Sequence, residues 1–172
     1  MKTKIIACVD ENGILGKKYE HKLLWNLPED LKHFKEKTVN NVVIMGYNTL
    51  ASLNFKFLPN RYNIVLINRP SKISNSSNME FIYEYDVNIN DIKQKFSDKD
   101  IWIIGGKLVY DKFINDVDEI WLSKIHKSYM VTDNNTTKDD YLYFPKIYNK
   151  IYDLFYVDYR KDFEIRQYIK KC

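Results

Sequence analysis

What most constrains this chain is a rhythm: short, β-branched apolar runs, each shut off by a glycine or a turn and followed by helical spacing. Ile5–Val9 is the first run, ended by Asp10-Glu11-Asn12-Gly13. Val42-Val43-Ile44-Met45 is closed by Gly46, and Ile101-Trp102-Ile103-Ile104 by Gly105-Gly106. Tyr62–Ile67 and Ile120–Ile125 are further runs, with Met79–Tyr83 a weaker one. Runs this short and this apolar read as strands buried on both faces. Between them, Leu27, Leu31, Phe34 and Thr38 recur at helical spacing, with Pro28 suited to the first turn. That pattern turns Leu31 toward the core. Tyr47–Leu53, Asn90–Phe96 and the stretch from Gly106 to Phe113 read as further helices.

Strands alternating with helices predict a parallel sheet covered on both sides. The tail breaks the rhythm. Tyr152–Tyr159 and Asp162–Tyr168 alternate apolar and polar residues on either side of Arg160-Lys161, which predicts an antiparallel hairpin. The expected fold is a single α/β domain over residues 1–172: a mixed, mostly parallel central sheet flanked by helices, ending in a C-terminal antiparallel hairpin. Lys17–Lys22, Ser71–Asn78 and Thr132–Asp140 are polar and read as exposed loops.

Composition narrows the function classes. With 45% hydrophobic and 15% aromatic residues among 172, the chain can bury a core and is not disordered. A net charge of +4, spread along the sequence, suits anionic small molecules but is no nucleic-acid footprint. Cys8 and Cys172 stand at opposite ends and His21, His33 and His126 are scattered, so no metal site is expected. No run is long enough for a membrane span, and Ile5–Val9 is too short for a signal peptide. A cytoplasmic monomer is expected, without nucleic-acid or membrane partners.

Four segments carry chemistry. In Leu24-Trp25-Asn26-Leu27-Pro28-Glu29-Asp30-Leu31-Lys32-His33-Phe34, Asp30 falls in a first helical turn, where the helix dipole favours a carboxylate. Taken alone, Glu29 and Asp30 could simply decorate a helix start. Among Leu, Trp and Phe, however, a part-buried carboxylate is costly unless it meets donors. A flat heterocycle with adjacent ring N–H and amino groups offers a forked pair of them. In Ile44-Met45-Gly46-Tyr47-Asn48-Thr49, a strand meets a helix at a glycine, where backbone N–H groups can face a phosphate. Arg61, in the turn Leu58-Pro59-Asn60-Arg61 before a buried strand, has the planar fork that suits a carboxylate. In Ile104-Gly105-Gly106-Lys107-Leu108-Val109-Tyr110, paired glycines permit close ligand approach, although the pattern is not the dinucleotide-binding GxGxxG.

In this order, and over nearly the whole chain, these segments resemble the dihydrofolate reductase family. The resemblance implies hydride transfer from NADPH to dihydrofolate, giving tetrahydrofolate for one-carbon metabolism. It assigns Asp30 as the active-site acid that binds the pterin and supports its protonation, Ser123 as its hydroxyl partner, and Trp25 as the holder of an ordered water. Ile6, Ala7 and Cys8 would meet the pterin and nicotinamide, and Leu31, Phe34, Ser52 and Leu58 would pack on the substrate. Arg61 would grip the carboxylate of its glutamate tail. Leu15, Gly16 and Leu23 belong to a lid over the nicotinamide, with Ile104 and Tyr110 beside both rings. Gly46, Tyr47, Asn48 and Thr49 would lie along the diphosphate. Gly105, Gly106, Lys107, Leu108 and Val109 would cradle the cofactor, the two glycines joined by a cis peptide. Ile67, Asn68 and Arg69 would reach the adenosine end, with Arg69 as the cation for the 2′-phosphate. The chain departs from the pattern at Leu24, where the family usually has Pro, and at Tyr47 and Leu108, where basic residues are usual. Two other readings stand beside this one: a riboflavin-pathway pyrimidine reductase of the same fold, and a non-catalytic nucleotide-binding relative.

Overall fold

A computed structural model describes residues 1–20, 23–70, 75–131 and 136–172. Its centre is an eight-stranded sheet in the order β5-β4-β3-β6-β1-β7-β10-β9. The strands are β1 (Thr3–Val9), β3 (Val42–Gly46), β4 (Tyr62–Ile67), β5 (Met79–Tyr83), β6 (Ile101–Ile103), β7 (Glu119–Ile125), β9 (Tyr152–Tyr159) and β10 (Phe163–Lys170). From β5 to β7 every neighbour is parallel; β10 runs antiparallel to both β7 and β9. The mixed sheet with its terminal hairpin is therefore the fold the sequence predicts.

Alternation along the buried strands splits the core in two. Ile5, Ala7 and Val9 point to one face, with Ile44, Ile64 and Ile103, against Ile92 of α3 (Ile89–Lys95) and Val109, Tyr110 and Phe113 of α4 (Lys107–Phe113). Ile6 points to the other, with Val43, Met45, Val65 and Trp102, against Leu50 of α2 (Tyr47–Ser52) and Phe34 of α1 (Pro28–Thr38). Helices covering both faces keep the strand backbones dry, which is why their sequences are apolar without interruption.

Helix α1 begins at Pro28, as its sequence predicts, but its buried stripe is not the expected one. His33 and Thr38 are buried, and Asp30, Phe34 and Lys37 half-buried, whereas Leu31 is 50% exposed. The stripe is centred on Asp30, His33, Phe34 and Lys37, and Leu31 lies on its rim. Its anchor is Trp121 of β7: the His33 ring packs 5.8 Å away, and the Lys37 ammonium sits 3.8 Å above the indole. An aromatic platform thus draws two polar residues inward in place of a leucine.

The polar stretch from Lys17 begins as a strand. β2 (Ile14–Lys17) pairs with β8 (Tyr141–Tyr143) in a separate two-stranded sheet. Its entry is fixed by buried Asp10, whose Oδ1 accepts from the N–H groups of Asn12 and Ile14 and whose Oδ2 accepts from that of Tyr129. The expected loop before β8 ends in a 3₁₀ turn, Lys138–Asp140, with Thr137 and Asp140 capping each other. His21 and Lys22, residues 71–74 and residues 132–135 of the expected loops lie outside the described residues. Among the described residues, no helix is long and apolar enough to cross a membrane.

Candidate active site

The carboxyl ends of β1, β3, β4 and β6 open into one cleft of about 570 Å³, the usual place for a ligand in an open parallel sheet. Strand register sets its inner end. Cys8 pairs with Ser123 across β1 and β7, so both side chains share the face that α1 covers. Asp30, in the first turn of α1, completes this group. Burial pushes the Asp30 carboxyl above the usual carboxylate range, while hydrogen bonds from Ser123 and Cys8 and the more distant charge of Arg160 pull it back. Burial, and then the charge of Asp30, push the Cys8 thiol up, keeping it protonated. Trp25 is buried beside this group; its indole N–H faces the Cys8 thiol, opposing that group's upward shift, and meets no nitrogen or oxygen acceptor among the described residues. Buried donors rarely stay unpaired, so this one calls for a water or a ligand acceptor.

Two glycine turns floor the cleft. The Gly46 N–H donates to the Gly105 carbonyl at 2.7 Å, and the Gly105–Gly106 peptide is cis. Gly105 has φ +107°, and a Cβ there would stand 3.0 Å from the Tyr110 hydroxyl; one on Gly46 would stand 3.1 Å from Val109. At both places a side chain would crowd the protein's own Tyr110 or Val109, so only glycine lets these two turns pack this closely. Tyr110 is buried, donates its hydroxyl to the Ile6 carbonyl at 2.9 Å, and has its phenol pKa pushed up by burial. Cys8 lines the cleft, as do Leu15 and Gly16 of β2, Leu23, and Tyr47, Asn48, Thr49 and Ser52 of α2. Gly46, Asn68, Ile104, Gly105, Gly106, Lys107, Leu108, Val109 and Tyr110 are the other expected residues in the lining. A long, glycine-floored trough with this lining fits a dinucleotide.

Arg61 stands apart from the trough. It is only 7% exposed, yet no carboxylate pairs with it among the described residues. Its Nε donates to the Pro59 carbonyl at 3.0 Å and its Nη1 to the Thr38 hydroxyl at 3.2 Å, with the Phe34 ring 5.9 Å from the guanidinium carbon. Burial pulls its pKa down. The turn presenting it is stapled by buried Asn63, whose Oδ1 accepts from the Leu58 N–H and whose amide donates to the carbonyls of Leu58 and Arg61. A buried cation held by neutral groups is short of one anion.

Not every expected residue reaches the cleft: Ile6, Trp25, Asp30, Leu31, Phe34, Leu58, Arg61 and Ser123 are absent from its lining, and Asp30 and Ser123 adjoin it through Cys8, which does line it. Ala7 and Ile67 are packed in the core, and only their backbones are available to a ligand. Arg69 is exposed and lies outside the lining. Conversely, Lys17, Lys18, Glu20, Leu66, Glu84 and Leu142 line the cleft without having been singled out. Glu84 had a readable signal, as the first residue after β5 in a fold whose strand ends face the ligand. Leu142 had none, because the β2–β8 pairing joins distant segments.

The dihydrofolate reductase family model matches residues 2–168. Dihydrofolate reductase of Ureaplasma parvum is 38% identical over 91% of this chain and 94% of its own length. Segregation and condensation protein A of Mycoplasmoides gallisepticum is 34% identical over 91% of this chain, which spans only a quarter of that longer protein. The structure of dihydrofolate reductase from Enterococcus faecalis, complexed with NADP(H) and RAB-propyl, superposes with a TM-score of 0.78 at 24% identity, covering 99% of this chain and 97% of that one. The last comparison shows the shared fold; the family match and the Ureaplasma relative show more, and the chain belongs to the dihydrofolate reductase family of NADPH-dependent oxidoreductases.

Proposed function

We propose that this chain reduces dihydrofolate to tetrahydrofolate with NADPH, acting as a cytoplasmic monomer without nucleic-acid partners. The observation that carries this reading is the meeting of Asp30 and Ser123 with Cys8, which itself lines the inner end of a glycine-floored trough. NADPH, when bound, supplies the hydride. The protein aligns the rings, excludes water and handles one proton.

Asp30 accepts the pterin's ring N–H and amino group as a forked pair. Its raised pKa lets a carboxyl oxygen hold a proton closer to neutrality than an ordinary Asp, so it supports protonation of the ring nitrogen beside the hydride-accepting carbon. Ser123 fixes the carboxylate's orientation. The Trp25 N–H, which meets no protein oxygen or nitrogen among the described residues, holds a water at the same end. The Ile6 carbonyl, marked by the Tyr110 hydroxyl, and Ile104 border the ring site. Phe34 and Leu58, with Leu31 and Ser52 at the rim, receive the linker of the substrate, and Arg61 takes its tail carboxylate as the missing anion. The lid residues Leu15, Gly16 and Leu23 close over the reacting rings. Gly46, Tyr47, Asn48, Thr49 and the backbone from Gly105 to Val109 hold the dinucleotide.

The test is dihydrofolate-dependent oxidation of NADPH by the purified protein. An Asp30→Asn variant should bind cofactor normally and lose about 10²–10⁴-fold in rate near neutral pH. An unaffected rate would remove Asp30 from the chemistry.

A further inference from the structure

Strand order measures the trough. Cys8 marks its inner end on β1, while Asn68 and Glu84 follow β4 and β5 at the other end of the lining. Three to four strand spacings separate them, roughly 14–19 Å. That is the span of an extended dinucleotide from nicotinamide to adenosine ribose, so on the reductase reading above Asn68 and Glu84 stand at the ribose.

Among the described residues, the charge there is the wrong sign for a 2′-phosphate. Glu84 makes no ion pair among the described residues. Its backbone is fixed by an N–H···O bond of 3.0 Å to the Ile67 carbonyl, which holds the strand end against β4. Tyr47 (43% exposed) and Leu108 (74% exposed) face the trough without charge. The lysines of the lining stand on other elements: the Lys107 ammonium is bonded to Asp111 and that of Lys17 to Glu20, while Lys18 follows β2, its backbone N–H donating to the Asp140 carbonyl beside β8. Arg69 is exposed and outside the lining. An acidic residue at this place accepts a ribose 2′-hydroxyl, whereas a cation is what accommodates a 2′-phosphate.

We propose that Glu84 is the specificity residue for the cofactor: it accepts the 2′-hydroxyl of NADH and repels the 2′-phosphate of NADPH, so the protein uses both with similar efficiency. A phosphate monoester carries nearly two negative charges at neutral pH. Across a hydrated cleft, one carboxylate facing it costs about tenfold in affinity.

Calorimetric titration of the whole protein with NADP⁺ and with NAD⁺ reads this without turnover, and dihydrofolate-dependent oxidation of NADPH and NADH reads it kinetically. Wild-type protein should bind the two within about tenfold of each other. Glu84→Gln should tighten NADP⁺ and weaken NAD⁺, moving the ratio by about tenfold, and Glu84→Lys should move it further in the same direction. Discrimination of about 100-fold or more by the wild type, or a ratio unmoved in variants that melt like the wild type, overturns the proposal while leaving the reductase reading intact. Failure of both nucleotides to bind overturns that reading, and this one with it.

Discussion

Replacing Arg61 by leucine separates substrate recognition from folding, because the two depend on this side chain with opposite signs. In the folded protein the guanidinium makes two hydrogen bonds to neutral acceptors, worth about 1 kcal/mol each. Against them stands the cost of burying a cation with no anion beside it, also a few kcal/mol. Leucine keeps much of the volume over Phe34 and removes the charge, so the stability of Arg61→Leu should lie within about 1 kcal/mol of wild type. Binding behaves differently. Losing a forked, charge-assisted contact to the substrate's tail carboxylate costs about 2–3 kcal/mol, roughly 30- to 150-fold in affinity. The assay is a cycle of two proteins and two substrates: KM for dihydrofolate, and for a dihydropterin lacking the glutamate tail. The variant should raise KM for the first by that factor, with kcat nearly unchanged, and leave the tail-less substrate as it was. An equal loss on both substrates would refute the reasoning, since Arg61 would then be shaping the site and not holding the carboxylate.

Two further predictions concern protonation. Ser123 and Cys8 both stabilise ionised Asp30, so Ser123→Ala and Cys8→Ala should raise its pKa further; the rate, which falls as pH climbs through that pKa, should then fall at higher pH, with Cys8→Ser restoring the wild-type profile. An unmoved profile in both alanine variants would separate these groups from the acid. His33 is pushed down to about 4 from an ordinary 6.5, chiefly by burial and next by the charge of Lys37. A depressed pKa contributes stability that is present above pH 6.5 and lost as pH falls toward 4, by up to about 3 kcal/mol. Denaturant melts of His33→Leu should lose much less stability over that interval than wild type, and equal losses would refute the assignment.

The division between what the sequence determined and what the tertiary structure decided follows the range of the forces involved. Apolar runs such as Ile5–Val9 and Val42–Met45 are written in neighbouring residues, because a buried parallel strand needs apolar side chains on both faces wherever it pairs. The same holds for Pro28 opening α1 with Asp30 in its first turn, and for Gly105-Gly106, where a positive φ and close packing against Tyr110 exclude a side chain. Register is not local. Cys8 and Ser123 are neighbours only because β1 and β7 align that way, and the raised pKa of Asp30 exists only once α1 is laid over that pair. Trp121, far along the chain, chose His33 and Lys37 over Leu31 for the buried side of α1. Glu84 could be read as a polar residue at a strand's carboxyl end, but only the order of the sheet carries it to the far end of the trough. Short-range periodicity can specify which elements form; which side chains then share a few ångströms of space depends on contacts between segments that lie a hundred residues apart.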